Sequence, residues 1–203
     1  GHRRRHPGVE IRIVEDGGTS LVSRLERGDV HLAYIPVGDD RFVGRLLYPV
    51  HVIAVVPADS EFSQNRTLEI GNLAGQKLLA LNRGFGSRNW FDTACEAANI
   101  TPPVLLESAS HNAILNLAAA GYGIGILPSA VSFPRKSIRA MPLLHRGISI
   151  GKWTMLAWDP RRFIPPYVER FADELVAYAQ DHFPGRDIVG RAPAIRRPKL
   201  PEL

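Results

Sequence analysis

Val9, Ile11 and Ile13 alternate with Glu10 and Arg12, a period of two that predicts a strand with one buried face. Glu15-Asp16-Gly17-Gly18 ends it, after which Thr19 or Ser20 can cap a short helix. Leu21, Val22 and Leu25 share a face of that helix and Gly28 stops it, before residues 30–35 read as a second strand. Strand, short helix and strand make a βαβ unit, which implies a parallel sheet with a right-handed crossover. The run over 51–56 predicts a buried strand closed by Pro57, and the polar stretch to Thr67 reads as a crossing between lobes. The pattern then repeats: strand over 78–81, glycine loop, helix over 90–99, strand over 104–106. A helix over 111–120, with Ile114, Leu117 and Ala118 on one face, stops at Gly121 and leads to a strand over 124–127. Residues 153–157 supply a late strand. Val168, Phe171, Ala172, Leu175 and Val176 then form the apolar stripe of a helix that Pro165 and Pro166 open. Beyond Phe183 the periodicity stops, and Pro184, Pro193, Pro198 and Pro201 among arginines and glycines read as a tail. Alternating strands and helices make the class α/β.

Composition narrows this picture by exclusion. With 203 residues, 45% of them hydrophobic and 22% charged, the chain has the balance of a soluble globular fold of one large domain or two lobes. Its apolar runs around Val50 and Ile114 are broken well short of the roughly 18 to 20 residues of a membrane span. One cysteine, Cys95, allows no internal disulfide, and seven scattered histidines show no zinc-type spacing. The net charge of +5 is confined to the ends, since residues 1–6 and 182–203 each contribute +3 while 17 basic and 18 acidic side chains lie between them. The body is therefore not a cationic nucleic-acid platform. Gly1-His2 before three arginines has no apolar stretch and reads as no signal peptide.

Parallel α/β sheets bind ligands beyond the carboxyl ends of their strands, which directs attention to four turns. Asp16-Gly17-Gly18-Thr19-Ser20 offers close backbone approach and a hydroxyl, or equally a plain glycine turn with a helix cap. Asn82-Arg83-Gly84-Phe85-Gly86-Ser87-Arg88 places two arginines, two glycines and a hydroxyl ahead of a helix, the chemistry of a carboxylate or phosphate site. Glu107-Ser108-Ala109-Ser110-His111 offers hydroxyls and an imidazole, although Ser110 serves equally well as a helix cap. Gly121-Tyr122-Gly123-Ile124-Gly125 follows a helix and precedes a strand, the reverse of a dinucleotide motif, so nucleotide binding is rejected there. Catalysis finds no support. Ser108 or Ser110 near His111 is the only close pairing of nucleophile and base, no nucleophile elbow occurs, and Cys95 reads as a buried structural thiol.

His6-Pro7-Gly8-Val9-Glu10-Ile11, Leu25-Glu26-Arg27-Gly28-Asp29-Val30 and Val55-Val56-Pro57, together with the run from Ala118 to Pro128, resemble in order and spacing the effector-binding domain of LysR-type bacterial transcription regulators over about residues 6–180. The resemblance implies a type II periplasmic-binding-protein-like fold: two Rossmann-like α/β lobes joined by two crossover strands, with a small effector in the cleft. Lobe I would comprise 7–57 and 154–181, lobe II 58–153, and 182–203 a basic, proline-rich tail. The family's domain begins with a further strand and helix, so the sheet is expected to be a strand short and the site incomplete. Carried over by position, effector contacts fall on Gly18, Thr19, Gly86, Ser87, Arg88, Ser110 and Ile126. Arg83 and Arg88 point to a small carboxylate, another anion or an aromatic acid. The resemblance further implies a cytoplasmic, non-enzymatic homodimer or tetramer without cofactor, metal or membrane partner. Such a protein reaches DNA only through an N-terminal winged helix-turn-helix that lies outside these residues. A periplasmic solute-binding protein of a transporter, or an enzyme on the same fold, are the alternatives.

Overall fold

The computed structural model describes residues 6–133 and 136–200, and these divide into two units. The first contains the chain up to Tyr48, Trp153–Phe183 and the residues from Arg197; the second contains Pro49–Lys152 and Pro184–Arg196. Arg3, Arg4 and Arg5 lie outside the described residues.

In the first unit, α1 (Gly18–Arg27) precedes β1 (Ala33–Pro36), and β2 (Val43–Pro57) begins here and ends in the second unit. β9 (Gly151–Trp158) lies between β1 and β2, antiparallel to β1 with Ala33 opposite Ala157. Alternation along β9 explains the two cores. Met155 and Ala157 join Ala33, Ile35, Phe42 and Leu25 of α1, whereas Leu156 joins Leu47 and the Ala172 and Val176 stripe of α4 (Pro166–His182). α1 ends as its sequence requires. Gly28 takes the left-handed conformation (φ 76°), so that its N–H and that of Asp29 reach the carbonyls of Leu25 and Arg24.

The second unit has β4 (Leu78–Leu81) between β5 (Val104–Ser108) and β6 (Ile124–Pro128), parallel to both, with β6 antiparallel to the C-terminal half of β2. β7 (Ile138–His145) also pairs with β2, and the two-residue strands β3 (Leu68–Glu69) and β8 (Ile148–Ser149) pair with β7. Both faces of β2 are buried from Val50 to Val56, which is why that half of the strand reads as an apolar run broken only by His51. Val52, Ala54 and Val56 pack with Phe91, Ala94 and Cys95 of α2 (Gly86–Ala97). Ile53 and Val55 pack with Ile114, Leu115 and Ala118 of α3 (His111–Ala119). Gly125 permits this second layer: a Cβ there would lie 3.1 Å from Ile114 Cγ2 and 3.3 Å from Ala118 Cβ.

Three expectations are corrected. Residues 9–14 form no strand, and Ile11 and Ile13 are 44% and 81% exposed. Their period of two meets no ladder partner among the described residues, so the expected βαβ unit is not formed and β1 is antiparallel to its neighbour. Neither Thr19 nor Ser20 caps α1; Gly17 holds the cap position, and Asp16 binds the Ser20 hydroxyl instead. Finally, the tail is not free of the fold. Pro184 leads into α5 (Arg186–Val189), and Ile188 is completely buried beside Ile53, Ile138 and Ala140. Ser149 donates to the Pro193 carbonyl at 2.6 Å, and Arg197 lies over the Trp153 ring at 5.4 Å. Scattered apolar residues that cannot build a core still suffice to join one.

Candidate functional site

The second unit presents its turns at the C-terminal ends of β4 and β5, where α2 and α3 begin. Leu81 pairs with Ser108, and the Asn82 N–H donates to the Ser108 carbonyl at 3.2 Å, so the turns 82–86 and 108–110 are neighbours. The first is closed by the Phe85 N–H on the Asn82 carbonyl at 3.1 Å. In the second, the Ser110 N–H donates to Ser108 Oγ at 3.0 Å and Ser110 Oγ accepts from the Ala113 N–H at 3.2 Å. Phe85 and His111 meet edge to face at 5.6 Å. The result is a patch with two helix N-termini, an aromatic pair and several hydroxyls, a setting suited to an anion with a planar or apolar body.

The two arginines differ sharply. Arg83 is exposed, with no hydrogen bond or ion pair among the described residues. Arg88 is 3% exposed; its Nε donates to Asp92 Oδ1 at 2.8 Å, and its Nη1 lies 2.7 Å from the Leu81 carbonyl and 2.9 Å from Glu107 Oε1. Burial opposes its charge, but Asp92 and Glu107 outweigh that and hold its pKa above the ordinary value. Ser87 is buried beside it, and Gly86 opens α2. The turn thus unites Arg83, Gly86, Ser87 and Arg88 and lies against that of Ser110. Ile126 stands apart: its side chain belongs to the core with Val52 and Leu143.

Gly18 and Thr19 belong to the first unit, where Thr19 is exposed at the start of α1. Asp16 organises that turn, accepting from the Ser20 hydroxyl, from the Gly17 N–H at 2.8 Å and from Arg24 Nε at 3.2 Å. The Ser20 hydrogen bond first, then that from Gly17, holds its carboxyl below the usual range. A carboxylate therefore stands where sequence reasoning looked only for glycines and hydroxyls. Sequence reasoning also missed Asp92 and Glu107 as partners of Arg88. The i,i+4 spacing of Arg88 and Asp92 carried the signal, but the helix was expected to begin only at Trp90.

No nucleophile emerges at Cys95, which is 6% exposed and whose thiol pKa burial pushes up to about 12. Among the described residues, no helix is long and apolar enough to cross a membrane.

The LysR substrate binding domain family matches residues 1–180. The chain belongs to that family. It is 24% identical over 184 residues to the uncharacterized HTH-type transcriptional regulator YybE of Bacillus subtilis, spanning 87% of this chain and 60% of that protein. It is also 24% identical over 159 residues to the transcriptional dual regulator GltC of the same organism, spanning 74% and 53% respectively. This LysR-family chain thus covers between about half and three fifths of these curated relatives. Among solved structures, it resembles the effector binding domain of QuiR in complex with shikimate, with TM-score 0.73 and 16% identity over 90% of this chain and 88% of that one. It likewise resembles the regulatory domain of CcmR of Synechocystis PCC6803 in complex with 2-PG, with TM-score 0.77 and 16% identity over 88% of each chain. The fold is of the type II periplasmic-binding-protein-like α/β kind.

Proposed function

We propose that this chain is the effector-sensing part of a cytoplasmic LysR-type transcription regulator, one that binds a small carboxylate or other anion and performs no chemistry on it. Its contacts are those of the second unit's turns, Arg83, Gly86, Ser87 and Ser110; the buried Arg88 and the core side chain Ile126 are left out. The observation that carries this reading is the pair of adjoining helix N-termini at the ends of β4 and β5, with the exposed Arg83 in the turn that joins β4 to α2. Effector binding shifts the arrangement of subunits in a homodimer or tetramer, and that shift reaches DNA through a helix-turn-helix domain of the whole regulator.

The test is a thermal-shift screen with small carboxylates, aromatic acids and phosphorylated metabolites, shikimate and 2-phosphoglycolate among them. A ligand at 100 times its Kd stabilises the folded state by about 2.7 kcal/mol, and the bound compound is expected to be recovered unchanged. Absence of any saturable shift overturns the effector reading, and conversion of the compound overturns the non-enzymatic one.

A further inference from the structure

Arg88 carries the chemistry of an anion ligand but not the access. Its three hydrogen-bonded acceptors lie on three elements: the last carbonyl of β4 at Leu81, Glu107 in β5, and Asp92 one turn onward in α2. Those are the elements that suspend the 82–86 turn. Two carboxylates against one guanidinium leave a local charge of −1, and at 3% exposure an incoming anion has almost no guanidinium surface to reach. Arg83, five residues earlier and on the turn itself, has the opposite character: exposed, and without a partner among the described residues.

We propose that the two arginines divide the work, Arg83 being the cation that meets the effector's carboxylate and Arg88 a positioning residue that holds the turn from behind. This rests on the effector reading above and adds to it which guanidinium the ligand touches. A planar fork with donors in fixed directions can reach all three acceptors at once; a lysine ammonium keeps the charge but not that geometry. Removing Arg83 should therefore remove the electrostatic part of binding, while Arg88→Lys should loosen the turn and spare it.

The experiment follows the amide resonances of residues 84–87 while sodium benzoate, as a generic carboxylate probe, is added at low and high salt. The unaltered protein is expected to give saturable shifts that weaken with salt. Arg83→Gln should weaken binding about fivefold and abolish the salt dependence. Arg88→Lys should displace the same amides before any benzoate is present, and weaken binding while keeping the salt dependence. The reverse assignment, salt dependence lost in Arg88→Lys and kept in Arg83→Gln, overturns the proposal. Should Arg88→Lys fail to fold, phenylglyoxal labelling of the unaltered protein decides the point: Arg83 is expected to react and Arg88 to resist, and equal labelling overturns the division. Benzoate that shifts none of these amides in the unaltered protein overturns the effector reading of this turn instead, whatever the labelling shows.

Discussion

His51 shows what a single residue costs when its chemistry is out of place. It lies in β2, completely buried, and among the described residues neither ring nitrogen has a hydrogen-bond partner; its backbone is held by Ser129, with its N–H donating to Ser129 Oγ at 3.1 Å and its carbonyl accepting from the Ser129 N–H at 2.8 Å. Burial pushes its pKa down to about 4 from the ordinary 6.5. The folded protein therefore keeps the ring neutral while the unfolded chain takes a proton, so the group withdraws stability as pH falls from 6.5 towards 4 and no further below that. The difference amounts to about 3 kcal/mol. Urea unfolding at intervals across that window should show the decline, and His51→Leu should flatten it. A slope that persists unchanged in the variant would assign the effect to other groups.

At the scale of elements, the four-residue helix α5 separates sequence pattern from packing. A solvated tail would tolerate Ile188→Ala within about 0.5 kcal/mol. Burial among Ile53, Leu127 and Ile138 instead predicts a loss of about 2 to 5 kcal/mol, seen as a lower urea midpoint at unchanged slope. An unaltered midpoint would return the segment to solvent. The same contrast explains which elements were legible. β4 is legible to its bounds because four consecutive apolar residues between polar flanks have one solution, and the existence and opening of α4 are legible because its stripe recurs at helical spacing behind Pro165 and Pro166. β7 was missed because Pro142 interrupts its pattern, yet Pro142 lies opposite Ile53 within the ladder. The 9–14 segment was over-read for the opposite reason, since alternation supplies a face but not a partner. The candidate turn was visible as a cluster of glycines and arginines. Which arginine faces solvent was not, because that depends on Glu107 and the Leu81 carbonyl, which only the pairing of β4 with β5 brings to Arg88.

Over the whole molecule, charge sets what this chain does towards nucleic acid. Membership in a family whose relatives are transcription regulators invites the expectation of DNA binding, and a net charge of +5 strengthens it. The distribution argues otherwise. The 17 basic and 18 acidic side chains between residues 7 and 181 cancel, and many are paired with one another, as Arg41 is with Asp39 and Arg161 with Asp159. Asp159 is held at a pKa of about 2, first by its hydrogen bonds from Arg161, so that pair stays ionised at any pH used for binding. What remains is +3 at each end, and Arg197 at the C-terminal end already lies against Trp153. Each neutralised phosphate contributes about −0.9 to the slope of log K against log salt, so three phosphates neutralised by one end give a slope of about −3. Fluorescence anisotropy of a labelled duplex, titrated with this chain at several salt concentrations, should find that shallow slope and no sequence preference. A slope near −6, or discrimination between duplexes, would reveal a coherent cationic face and move DNA recognition into this domain. The shallow slope is the outcome the proposed function requires, with no sequence recognition carried by these residues.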